Sequence, residues 1–183
     1  MTEFHDFLCS IVIGGIILTM VLGFNTNIAE KSVTQSFNSI VQSNLTTVTS
    51  MLEHDFRKMG YFVFDSLKVL LADTNNIIFR ADLDNDGTID TVGYRMSYTR
   101  DTTCVNPRAR ILYRVISNQG MQSIHLGVTQ FKLWYYDGQG FPTANLSNIK
   151  SIKVAFHVES MAPYDTIYAG AYWERVIKPK NLR

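Results

Sequence analysis

Residues 7–24 read FLCSIVIGGIILTMVLGF. The stretch carries no charge and no proline over eighteen residues. A helix of that length rises roughly 27 Å, close to the hydrocarbon thickness of a bilayer. Three readings compete for such a segment: a membrane helix, a cleaved signal peptide and a buried core helix. A signal peptide asks for a basic leader and a small-residue cleavage site. Here the residues in front include Glu3, His5 and Asp6, and the stretch runs out through Leu22-Gly23-Phe24-Asn25-Thr26. The pattern therefore predicts a retained membrane helix. Neither flank is rich in Lys or Arg, so charge bias assigns no orientation. Gly14 and Gly15 lie together inside the segment. Such a pair loosens a helix, lets a neighbouring helix approach closely, or reflects the ordinary frequency of glycine in membrane helices.

Working toward the C-terminus, Asn25-Thr26-Asn27 reads as a polar break, and a second pattern starts after it. Apolar residues recur at Val33, Phe37, Ile40, Val41, Leu45, Val48, Met51, Leu52, Phe56 and Met59. Steps of three and four give the 3.6-residue period of a helix with one apolar stripe. Lys31, Gln35, Asn38, Gln42, Asn44, Thr47, Ser50, Glu53 and Lys58 form the opposite face. Gly60 follows the last apolar position and suits a C-cap. The spacing predicts a helix of about thirty residues, roughly 45 Å long. Its stripe needs a partner. A sheet from the rest of the chain would supply one; a parallel coiled coil is the alternative, although the spacing is no clean heptad.

Beyond Gly60 the period shortens. Strand-like runs fall at Ile77–Ala81, Val92–Tyr98, Arg110–Ile116, Val128–Tyr136 and Ile149–Val158, with Tyr168–Ile177 a candidate last strand. Turn chemistry separates them: Asp82–Gly87, Ser117-Asn118-Gln119-Gly120 and Asp137-Gly138-Gln139-Gly140. The expected architecture is α+β, with the helix first and four or five antiparallel strands packed on it. Three segments follow: a membrane or filament-core helix over 1–27, an amphipathic helix over 28–60 and a β-rich head over 61–183.

One turn has the spacing of a metal loop. In Asp82-x-Asp84-x-Asp86-Gly87-Thr88-Ile89-Asp90, alternate residues can turn oxygens inward and the glycine permits a sharp bend. Asp82, Asp84, Asp86, Thr88 (through its backbone carbonyl) and Asp90 are the candidate calcium ligands. The twelfth position, a bidentate glutamate in the EF-hand, is Gly93 here, so waters or a later side chain would complete the shell. The competing reading is a solvated hairpin turn rich in Asp, Asn and Gly.

The remaining signals exclude more than they assign. A net charge of +1 makes no case for nucleic acid. Cys9 lies in the apolar segment and Cys104 in the polar part, which argues against a bridge between them. No Cys/His cluster has zinc spacing, and no glycine-rich phosphate loop occurs. His5, His54, His125 and His157 are scattered without a nearby nucleophile, and His54, between Glu53 and Asp55, reads as a polar-face residue. No enzyme is expected.

Taken together, these features resemble the ladle plan of type IV pilins and type II secretion pseudopilins, closest to minor members of the W or J type. Three stretches carry the resemblance: Phe79–Asp90 with Val92 and Tyr94, Gly127–Asp137, and Ile149–Val154. It spans nearly the whole chain and implies a structural subunit of a pilus-like filament or pseudopilus. Such a subunit is held in the inner membrane before assembly and then packs through its N-terminal helix with copies of itself or other pilin-like subunits. The family places a glutamate five residues into the mature chain; here that position is His5, with Glu3 and Asp6 on either side. Glu3 or Asp6 would take the assembly role from a shifted register, with Gly14 and Gly15 at the helix contact, or else flank the membrane helix as charges at the water interface. The alternative is an anchored, calcium-dependent binding or adhesion module.

Overall fold

The computed structural model of the chain describes residues 2–65 and 67–182, with side chains described from Phe4 onward. It divides into two compact units, Met1–Phe37 and Asn38–Arg183. The first helix, α1 (Thr2–Lys58), is longer than either sequence segment, because the polar break does not interrupt it. Asparagine and threonine lower helix propensity far less than glycine or proline. Thr26 also satisfies its hydroxyl on the helix, donating to the Gly23 carbonyl at 2.9 Å. Ser10 and Thr19 do likewise with the carbonyls of Asp6 and Ile16, both at 2.8 Å. Hydroxyls closed onto their own helix suit an apolar surrounding, where they would otherwise lack partners.

Between Phe4 and Ile28 the large apolar side chains have no cover within the chain. Phe4, Phe7, Leu8, Ile11, Val12, Ile13, Ile16, Ile17, Leu18, Met20, Val21, Leu22, Phe24 and Ile28 are all exposed. An 18-residue window here has a mean hydropathy of 2.5, with none of it buried. The helix is therefore long and apolar enough to cross a membrane.

The second unit packs the end of α1 on one seven-stranded antiparallel sheet. The strands are β1 (Val69–Ala72), β2 (Asn76–Ala81), β3 (Asp90–Arg100), β4 (Arg110–Ile116), β5 (Gly120–Tyr136), β6 (Ser151–Glu159) and β7 (Gly170–Ile177). They pair in chain order, each with its sequence neighbour, which is a simple meander. Seven strands replace the expected four or five. β1 is four consecutive apolar or small residues, too short to show a period. β5 begins at Gly120 rather than Val128: pairing with β4 makes a strand of Met121–Leu126, a stretch whose poor alternation does not mark it as one. Its first half pairs with β4 and its second half with β6. Gly127 lies at the changeover with φ +71°, and the register shifts on both sides of it. Such irregularities bend a strand and curl its sheet.

Only the last part of the helical stripe is buried. Val41, Leu45, Val48, Leu52, Phe56 and Met59 enter the core, whereas Val33 and Ile40 stay exposed. Phe56 meets Phe79 of β2 and Tyr94 of β3 edge-on, at 5.7 and 5.6 Å between ring centroids. The inward face of the sheet adds Ile77, Val92, Leu112, Phe131, Leu133, Ile152, Val154 and Phe156. Burying one such large side chain contributes about 1.5–3 kcal/mol. α1 ends at Lys58, and Gly60 follows with φ +76°, the left-handed cap that the sequence calls for.

Candidate functional site

The acidic turn joins β2 to β3. Asp82 is buried, while Asp84 and Asp86 are exposed. One carboxylate oxygen from each of the three lies within 4.8 Å of the others. The backbone holds them there. Asp82 Oδ1 accepts the Asn85 amide at 2.7 Å and its Oδ2 accepts the Gly87 amide at 3.1 Å. Asp84 Oδ1 accepts the Asp86 amide at 3.3 Å. Asp86 Oδ1 accepts the Thr88 amide at 2.7 Å and also the Thr88 hydroxyl. These two bonds, the hydroxyl first, hold the Asp86 carboxyl below the usual carboxylate range. Asn85 and Gly87 take left-handed φ values of 63° and 84°, which Asn and Gly tolerate best.

Three like charges this close repel one another, and a divalent cation would offset that. The fold already brings one positive group to the turn. Lys58, the last residue of α1, donates its ammonium to the Leu83 carbonyl and, at 3.1 Å, to Asn85 Oδ1. Nothing in the linear sequence marks this contact, which spans 25 residues. Asp90 sits apart from the three clustered carboxylates. It is buried at the start of β3, and its Oδ1 accepts Ser117 Oγ at 3.3 Å and Asn118 Nδ2 at 2.9 Å from the β4–β5 turn. Asp82, Asp84 and Asp86 are thus the carboxylates that the fold brings together, a group that could hold a metal ion. Thr88 and Asp90 are engaged with protein partners through their side chains.

Of the expected assembly residues, Asp6, Gly14 and Gly15 lie on the exposed helix. The side chain of Glu3 lies outside the described residues. A Cβ added at Gly14 or Gly15 would meet nothing within 4 Å, so neither glycine serves packing inside the chain.

A buried polar cluster escaped the sequence reading. Asp55, next to the polar-face residue His54, is 1% exposed and turned to the sheet. Its Oδ2 accepts the Tyr94 hydroxyl at 2.6 Å and Arg114 Nε at 2.8 Å. Arg114 Nε also donates to the Tyr94 oxygen at 3.0 Å. Burial, then the Asp55 charge, push the Tyr94 hydroxyl far above its ordinary range, so it stays protonated and donates. His54 itself is exposed beside this carboxylate, with Nδ1 3.1 Å from Asp55 Oδ1. His125 Nδ1 lies 2.9 Å from Asp101 Oδ2, and Thr129 Oγ1 lies 2.6 Å from His157 Nδ1. Cys9 and Cys104 are both free; burial raises the Cys104 thiol, which disfavours its reactive thiolate.

Compared with known proteins, the chain matches no protein-family model, no curated protein and no solved structure.

Proposed function

We propose that this chain is a structural subunit of a type IV pilin-like extracellular filament or periplasmic pseudopilus, held in the inner membrane by its N-terminal helix before assembly. One observation carries the reading. Between Phe4 and Ile28 every large apolar side chain is exposed, on all sides of α1. A helix apolar all round requires a bilayer or a bundle of other helices to cover it. Gly14 and Gly15 offer the bare backbone that close helix packing uses. Asp6, and Glu3 beside it in sequence, supply carboxylates that would need a partner on leaving water. The partners are further copies of this chain or related subunits, and the β-rich unit faces outward from the filament core.

The acidic turn favours a second reading. Its three gathered carboxylates suit an anchored module that binds calcium for adhesion. The two readings part on where the helix ends up. Filaments are sheared from producing cells, imaged by negative-stain electron microscopy and sequenced by mass spectrometry. The filament reading expects this chain within the sheared fibres. Recovery only in the detergent-extracted membrane, with no fibres, overturns it in favour of the anchored module.

A further inference from the structure

A cavity of about 430 Å³ opens where the β5–β6 turn meets the end of β7, with Asp137, Gly138, Lys150, Ser151 and Lys178 in its lining. It lies in the second unit and does not involve the acidic turn. Two cationic side chains bound it. Among the described residues neither Lys150 nor Lys178 has an ion pair or a side-chain hydrogen bond. The one carboxylate present is already engaged: Asp137 Oδ1 accepts the amides of Gln139 and Phe141, both at 2.9 Å. Ser151 is only 6% exposed, yet its hydroxyl has no hydrogen-bond partner among the described residues. Such a group is costly unless water or a ligand satisfies it. It is not sealed in, since no side-chain nitrogen or oxygen described here is both fully enclosed and unpartnered. The hydroxyl thus keeps some access to solvent, and Ser151 is one of the residues that line the cavity.

Lys150 is placed by its surroundings. Lys150 runs its stem across the turn, with Cγ 3.7 Å from where a Cβ on Gly138 would stand. Its own amide donates to the Tyr136 carbonyl at 2.9 Å. Lys178 and the buried Pro179 follow β7 directly. Two ammonium groups are point charges without the planar fork that arginine offers a carboxylate, and lysine pairs act well on phosphate. With the Asp137 carboxylate counted, the two ammonium groups leave the lining one net positive charge, which favours an anion. The volume lies in the range of small-molecule sites and far exceeds the roughly 30 Å³ share of one water.

We propose that this cavity binds a phosphate- or sulfate-type oxyanion carried on a small organic molecule, held by Lys150, Lys178 and the Ser151 hydroxyl. The site stands independently of the filament reading. The full chain in an uncharged detergent is titrated calorimetrically with phenyl phosphate and with inorganic phosphate at low salt. Saturable binding is expected for both, tighter for the ester, because the cavity is larger than the ion. Lys178→Gln and Lys150→Gln each weaken it about tenfold, the loss of one charge-assisted contact, and Ser151→Ala about threefold. Lys132→Gln, an exposed lysine elsewhere on β5, leaves affinity unchanged. Lys178 is exposed and its side chain has no bonding partner among the described residues, so its variant keeps the native melting temperature and its result is interpretable by itself. Absence of saturable binding overturns the proposal, as does Lys178→Gln binding like the parent. Equal affinity for the two probes overturns the organic moiety.

Discussion

Replacing Asp55 by alanine is expected to lower the melting temperature of the β-rich unit by on the order of 10 °C. Asp55 is a carboxylate of α1 buried against the sheet, with 1% of its side chain exposed against 16% for Arg114. Its removal leaves the Tyr94 hydroxyl without its acceptor and the Arg114 guanidinium without its carboxylate, with only the neutral Tyr94 oxygen to bond. Breaking one side of a buried pair costs about 3–5 kcal/mol, because the surviving charge stays out of water. For a unit of this size each kcal/mol moves the midpoint by about 2–4 °C, so the product spans about 6–20 °C. Near-ultraviolet circular dichroism of the full chain in an uncharged detergent follows the transition, since the clustered aromatics lie in that unit. Combining Asp55→Ala with Arg114→Met removes the stranded charge as well. The double variant should recover half or more of the loss, because an apolar replacement of a whole pair is near neutral. A fall below about 3 °C for Asp55→Ala refutes the reasoning. It would mean that water reaches Arg114 and that the pair does not fasten α1 to the sheet.

Three further outcomes follow from the same geometry. Gly127→Ala is expected to destabilise the unit by about 2–5 kcal/mol, from the left-handed backbone and the overpacking together. Its φ is +71° and the new Cβ would stand 2.0 Å from the Glu159 carbonyl oxygen; denaturant unfolding measures the loss. Asp101 sets part of the acid limb of stability. Burial pushes its carboxyl up, but bonds from the Thr103 hydroxyl and amide and from His125 outweigh that and leave it below its ordinary 3.8. A depressed carboxylate contributes stability above the unfolded value and loses it as pH falls through the lower folded value. The stability gap between the parent and Asp101→Asn should therefore be steady above about pH 5 and close in the acid range below 3.8. Calcium at tenfold over its dissociation constant should raise stability by about 1.4 kcal/mol if the acidic turn binds it. Asp84→Asn and Asp86→Asn should abolish that shift, and a melting temperature unmoved by millimolar calcium identifies the turn as solvated.

The residue order alone determined the helix-first α+β plan. A charge-free run from Phe7 to Phe24 can only be helix in an apolar surrounding, and the three-and-four spacing to Met59 can only bury one side. Period and turn chemistry are local properties, so β2, β3, β4, β6 and β7 were legible within a few residues, and Gly60 as the cap with them. The acidic turn was legible too, because its spacing is contained in nine consecutive residues. What tertiary structure decided was everything that rests on distant residues meeting. β1 exists because β2 gives its four residues a partner, and β5 reaches back to Gly120 because β4 pairs with a stretch that shows little alternation. Asp55 reads as one more polar residue beside His54 until Tyr94 and Arg114, 39 and 59 positions away, come within bonding distance. Lys150 and Lys178 stand far apart in the chain and share a cavity only because β6 starts where β7 ends. Hydrophobic period is written in neighbours, whereas charge pairing and cavities are written in the fold.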